Sequence, residues 1–167
     1  KSRDLVRLLA HPNEWQRRTA QRLLSGRGDG MMPGPDGKAI VAGDPAIFRR
    51  LGALLANGKT LEARLAALWA LHAAGTLKDE TLEKYGTDKE PAIRAWVARF
   101  SGEQASPGRL ARLQRMASDT DASVRLAVAV AARELVSDSL TIDTGSSQAE
   151  VGGILTALIK ASADAKD

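Results

Sequence analysis

Apolar residues recur along most of this chain at intervals of three and four, which is the spacing of one buried helical face. Leu5, Leu8 and Leu9 mark a first amphipathic helix over 4–10, stopped at His11-Pro12 because proline disfavours helix in the residue before it. Asn13, with Gln16 three residues on, predicts an N-cap, and Trp15, Ala20, Leu23 and Leu24 are the residues expected to be buried by the helix that follows. Asp44-Pro45 predicts another start, with Ile47, Leu51, Leu54 and Leu55 inward and Asn57-Gly58 as its end. Thr60 is expected to cap a helix burying Leu61, Leu65, Leu68, Trp69 and Leu71, ending near Gly75. Further helices are predicted over 80–85 (Leu82 and Tyr85 inward), from Glu90-Pro91 (Ile93, Val97, Phe100), from Ser106-Pro107 (Leu110, Leu113, Met116) and from Asp121 or Ala122 (Val124, Val128, Leu135). After a polar loop over 138–146, a capping box at Ser147 and Glu150 opens the last helix, which runs to about Ser162 through Val151, Ile154, Leu155, Leu158 and Ile159.

One stretch breaks the pattern. Residues 26–43 hold six of the fifteen glycines and two prolines, so they read as a loop, with a turn at Pro35-Asp36-Gly37 and a short strand over Lys38–Ala42. The prediction is nine helices, four pairs and one more, all-α in class.

A second regularity runs through the helices. DTDASVRLAVAV places Asp119 six residues before Arg125, and DKEPAIRAWVAR places Asp88 six before Arg94. Blurred versions surround Arg64 and Arg17, with Gly58 and His11 at the acidic position. The arginines are 47, 30 and 31 residues apart, a period of about 30 that marks a repeat architecture with an insertion of about 17 residues in the first unit. The pairs, period and Asp-to-Arg spacing resemble HEAT repeats over nearly all of the chain outside 28–43. That resemblance implies an α-α superhelix, a single HEAT-like repeat domain over 1–167 with a Gly/Pro-rich insertion at 28–43. It also implies that Asp88, Arg94, Asp119 and Arg125 form a structural ladder between neighbouring repeats. The second helices of a HEAT solenoid line its concave side, so Arg17, Arg64, Trp96 and Arg99 are candidate contacts there, with the 28–43 loop.

A narrower resemblance lies in the order of three phrases, DLVRLLAHPNEWQRRTAQRLL, ARLAALWALHAAGTL and PAIRAWVARF. Together they look like the HEAT region of membrane-bound, sorbosone-type dehydrogenases of planctomycetes and verrucomicrobia. In that family a β-propeller domain precedes the HEAT region and a c-type cytochrome domain follows it, and the proteins are exported. The opening KSRDLVRLL, without Met and already helical in pattern, reads as part of a longer chain. The resemblance implies a non-enzymatic scaffold segment whose partners are proteins or the neighbouring domains of that chain.

Composition narrows the chemistry. Hydrophobic residues make up 44% but aromatics only 4%, which suits closely packed helices of Ala, Leu and Val. With no cysteine there is no disulfide, thiolate ligand or Cys nucleophile. There is no Cys-x-x-Cys-His, so no haem attachment, and no apolar run of membrane-spanning length. His11 and His72 are the only histidines, too few for a histidine metal site. Asp79/Glu80 and Asp119/Asp121 sit at helix starts, where capping explains them. Asp29 and Asp36 lack the pattern of a calcium loop, and the glycines lack that of a phosphate cradle. No catalytic, cofactor or metal residue is expected. The net charge of +4 leaves a second reading open, a nucleic-acid-binding module using an arginine-lined face. Trp15, Trp69 and Trp96 invite comparison with HEAT-like alkylpurine DNA glycosylases. Their offsets from the aligned arginines, −2, +5 and +2, do not form a common stripe.

Overall fold

A computed structural model describes residues 2–25, 32–33, 39–40, 45–141 and 145–163, with side chains described within 4–24, 45–136 and 151–161. Among these the protein is all-α apart from one minimal hairpin. Its helices are α1 (Ser2–Leu8), α2 (Glu14–Ser25), α3 (Pro45–Asn57), α4 (Leu61–Ala73), α5 (Asp79–Tyr85), α6 (Pro91–Glu103), α7 (Arg109–Met116), α8 (Ala122–Thr141) and α9 (Gly145–Ala163). Strands β1 (Met32–Pro33) and β2 (Ala39–Ile40) pair antiparallel, with Met32 opposite Ile40. The remaining residues of the 28–43 insertion, and so its expected contacts, lie outside the described residues.

The chain divides into two compact units, residues 1–77 and 78–167. In the first, α1 packs on α2 and α3 on α4, while α1 also lies against α3 and α2 against α4. Its core is Leu5, Leu9, Ala20, Leu24, Leu51, Leu55, Ala67 and Leu68, all buried. Asn13 caps α2 by accepting the N–H groups of Trp15 (2.9 Å) and Gln16 (3.4 Å). Thr60 caps α4 by accepting the N–H of Ala63 at 3.2 Å. Replacing Thr60 with Ala leaves that N–H without its side-chain partner, and a loss of about 1 kcal/mol in urea unfolding is the expected result.

In the second unit α6 and α8 form the largest helix–helix contact, α7 lies against α6, α8 and α9, and α5 rests on α6. Ile93, Val97 and Phe100 of α6 and Val124, Ala127, Val128 and Ala131 of α8 are all buried in the core of this unit. The approach of the two helices is close because Gly102 has no side chain: a Cβ there would stand 2.8 Å from both Cα and Cβ of Ala131. Gly102→Ala therefore forces the two helices apart. An overpacking cost of about 1–2 kcal/mol is expected from chemical denaturation, and an unchanged midpoint would show that the helices give way freely.

Several sequence expectations change. Trp15 and Leu23, placed in the core by periodicity, are exposed on α2, Trp15 to 71%. Leu155 and Ile159 of α9 are exposed too, while Val151, Ile154 and Leu158 on its other face are buried. Periodicity finds an apolar face but not whether a neighbour covers it. The polar loop over 138–146 is largely helix, since α8 continues to Thr141 and α9 begins at Gly145, two residues before the capping box. Ser106 does not cap α7, which starts at Arg109 with Gly108 as its N-cap. Asp79 does not cap α5 either; its carboxylate is drawn across to Ser106, Gly108 and Arg112.

Candidate functional site

Three arginines repeat one geometry. Each lies early in the second helix of a pair and turns its Nη1 back onto two carbonyls of the preceding turn. Arg17 Nη1 donates to the carbonyl oxygens of His11 (2.9 Å) and Pro12 (2.7 Å). Arg94 Nη1 donates to those of Asp88 (2.8 Å) and Lys89 (3.3 Å). Arg125 Nη1 donates to those of Asp119 (2.9 Å) and Thr120 (3.2 Å). A turn between helices leaves carbonyls without helical partners, and a guanidinium with several donors in a fixed fork can bind two at once. Arg64 holds the equivalent place in α4. It is buried, and its Nε donates to the carbonyl of Leu55 at 2.8 Å. Gly58 stands where the other turns carry Asp or His, and a Cβ there would lie 2.6 Å from the Leu54 oxygen and 2.9 Å from Arg64 Cγ. The Leu54 carbonyl, with the Arg64 stem beside it, thus leaves no room for the acidic side chain of the pattern.

Arg94 does more than clamp its own turn. Its Nε and Nη2 donate to the two carboxylate oxygens of Asp119, each at 2.7 Å, a two-pronged pairing across 25 residues of sequence. The side chains are 14% and 11% exposed, so water screens the pair little. Asp119 Oδ1 also accepts the N–H of Asp121 at 2.9 Å, as Asp88 Oδ1 accepts that of Glu90. Burial works against ionisation of Asp119, but the Arg94 hydrogen bonds, the Asp121 N–H and the charge of Arg94 outweigh it and hold the carboxyl below its ordinary value. Asp121 accepts the N–H of Ser123 at 2.9 Å at the start of α8.

A second hub of the second unit is a side chain that the sequence did not single out. Arg112 of α7 is fully buried. Its Nε donates to Ser101 Oγ (2.8 Å), its Nη1 to Asp79 (2.9 Å) and Glu83 (3.3 Å), and its Nη2 to Ser106 Oγ (3.3 Å). Ser106 Oγ donates in turn to Asp79 at 2.7 Å, and Arg115 pairs with Glu83. One guanidinium thereby joins α5, α6, α7 and the turn between α6 and α7. A hydrogen bond from Ser106, opposed by burial and helped by Arg112, holds Asp79 below its ordinary pKa. Its place, four residues before Met116 and next to Leu113, is at the edge of the inward face, but nothing in the hydropathy pattern sets it apart from the other arginines of α7.

These elements border an open groove of about 460 Å³, lined by the turn residues Gly86, Thr87 and Asp88 on one side and Ser118, Asp119 and Thr120 on the other. Arg94, Arg112, Arg115 and Met116 complete its wall. The arginines of the wall are paired with carboxylates, so the groove offers hydroxyls and balanced charge rather than an unmatched cation. Among the described residues, no group of three or more His, Asp or Glu is placed to hold a metal ion. No helix among them is long and apolar enough to cross a membrane.

The four candidate surface contacts divide between the two units. Arg17 is half-buried, bound to its own turn, and Arg64 is buried, which corrects its placement as a surface contact. Arg99 is exposed, with its guanidinium carbon 5.0 Å from the ring centre of Trp96, which lies 5.4 Å from that of Phe100. Arg17, Arg94 and Arg125 therefore serve the backbone of the turns. Compared with protein-family models, with curated proteins and with solved structures, the chain has no match.

Proposed function

We propose that the chain is a non-enzymatic scaffold of HEAT-like helical repeats that presents its grooves and helix faces to a protein partner or to neighbouring domains of a longer chain. The recurring arginine clamp carries this reading. The same side chain at the same register closes the turn three times, with Arg94 and Asp119 linking one turn to the next. Residues arranged this way serve spacing and rigidity, and the groove they border pairs its charges instead of directing one at a substrate. By the resemblance of its phrase order, the chain is the HEAT segment of an exported dehydrogenase with a propeller domain before it and a cytochrome domain after it. It would set the distance between them.

The coding frame on either side tests the narrower assignment. Propeller-coding sequence upstream and a Cys-x-x-Cys-His motif downstream are expected, and a frame with neither removes that assignment. The scaffold reading is tested by calorimetry with the flanking domains. Thr87→Arg with Ser118→Arg places two bulky cations at exposed positions of the groove. Weaker binding, by about tenfold or more, is the expected outcome; unchanged binding would exclude this groove as the docking surface.

A further inference from the structure

The excess positive charge of the chain belongs to one unit. Residues 1–77 carry twelve Lys and Arg against six Asp and Glu, whereas residues 78–167 carry twelve against fourteen. Among the described residues of the first unit, six cations are exposed against the three exposed carboxylates Asp4, Glu14 and Glu62. Helix α2 adds an aromatic ring to that surface. Trp15 is 71% exposed. Arg18 and Arg22, three and seven residues further on, are exposed as well, and at helical spacing all three share one face within about 60°. Arg17, beside them in sequence, is occupied with the His11 and Pro12 carbonyls. Arg18 meets Glu14 at 2.6 Å, but both side chains are largely in solvent, where a competing anion can displace the pair.

An indole set among arginines on an open surface is the pairing that recognises single-stranded nucleic acid: every base has a face to stack on, and every linkage carries a charge. We propose that the Trp15, Arg18 and Arg22 face of α2 binds single-stranded nucleic acid, with a base stacked on Trp15 and the two arginines on adjacent phosphates. The aromatic ring distinguishes this from a bare polyanion site, and the residues differ from the clamp arginines. The inference stands independently of the scaffold reading.

The test is a titration of the full chain with an oligothymidylate of about 15 nucleotides at about 50 mM salt, followed by tryptophan emission and by anisotropy of a labelled strand. Quenching is expected, and it persists in Trp69→Phe and Trp96→Phe variants. Trp15→Leu weakens binding by about tenfold. Arg18→Glu with Arg22→Glu weakens it by at least about tenfold and flattens the slope of log affinity against log salt by about 1.4, two phosphate contacts' worth. Circular dichroism checks that the variants fold, and the salt slope of the unaltered chain is a measure that needs no variant. Three results would each overturn the proposal: no binding at low salt, binding that leaves Trp15 emission unchanged and is competed equally by heparin, or sedimentation with phosphatidylserine vesicles in place of oligonucleotide binding.

Discussion

Arg112→Ala lowers the stability of the chain by about 2–4 kcal/mol, whereas Arg112→Met costs less than half as much. The alanine variant leaves a cavity the length of an arginine stem among α5, α6 and α7 and strips the shared partner from Asp79 and Glu83. Those carboxylates are 34% and 50% exposed, so water recovers part of their loss, and the figure stays below that of a fully enclosed pair. Methionine refills the space. Ser101 keeps its bond to the Val97 carbonyl (2.7 Å), and Ser106 keeps Asp79. Burying an apolar chain where a cation stood is often close to neutral. Denaturant unfolding of the two variants separates the contributions: equal losses would mean that charge pairing outweighs packing at this position.

The second large effect belongs to Arg94. Arg94→Ala removes the clamp on Asp88 and Lys89 together with both bonds to Asp119, and a loss of about 2–3 kcal/mol is expected. A double-mutant cycle with Asp119→Asn isolates the pair, with a coupling of about 1–2 kcal/mol. The pH dependence has a definite sign. The carboxyl of Asp119 is held below its ordinary value of 3.8 in the folded state, so its contribution is complete above that pH and lost as pH falls through the lower folded value. The gap between wild type and Asp119→Asn should therefore be constant near neutrality and close below pH 3.8. A gap that persists unchanged in strong acid would show that the ionised carboxylate is not what binds Arg94.

Much of the helical pattern in both units was legible because its signals are local. The inward residues Leu82, Tyr85, Ile93, Val97 and Phe100 follow from spacing alone, and Asn13 and Thr60 cap the helices they were expected to cap. The failures concern information that is not local. Ser106-Pro107 has the form of a helix start, but Asp79, 29 residues before Gly108, takes the Gly108 N–H and Ser106 turns its hydroxyl to that carboxylate. Arg112 reads as one basic residue among several in RLARLQRM, since hydropathy does not mark a cation whose partners come from α5 and α6. Trp15 and Ile159 show the converse, apolar by composition and exposed by position. The spacing of Arg94 and Asp119 from their own motifs was visible in the sequence. That one would bond to the other across 25 residues came only from the resemblance.

The clamp also bears on the order in which the chain folds. Each Nη1 contact joins residues five or six apart, within reach as soon as one helix pair closes, whereas the Arg94–Asp119 bond must wait for two pairs to meet. Short-range contacts form early because little loop entropy opposes them. Helix hairpins sealed at the turn are then the units that assemble, and the longer link sets how many of them melt together.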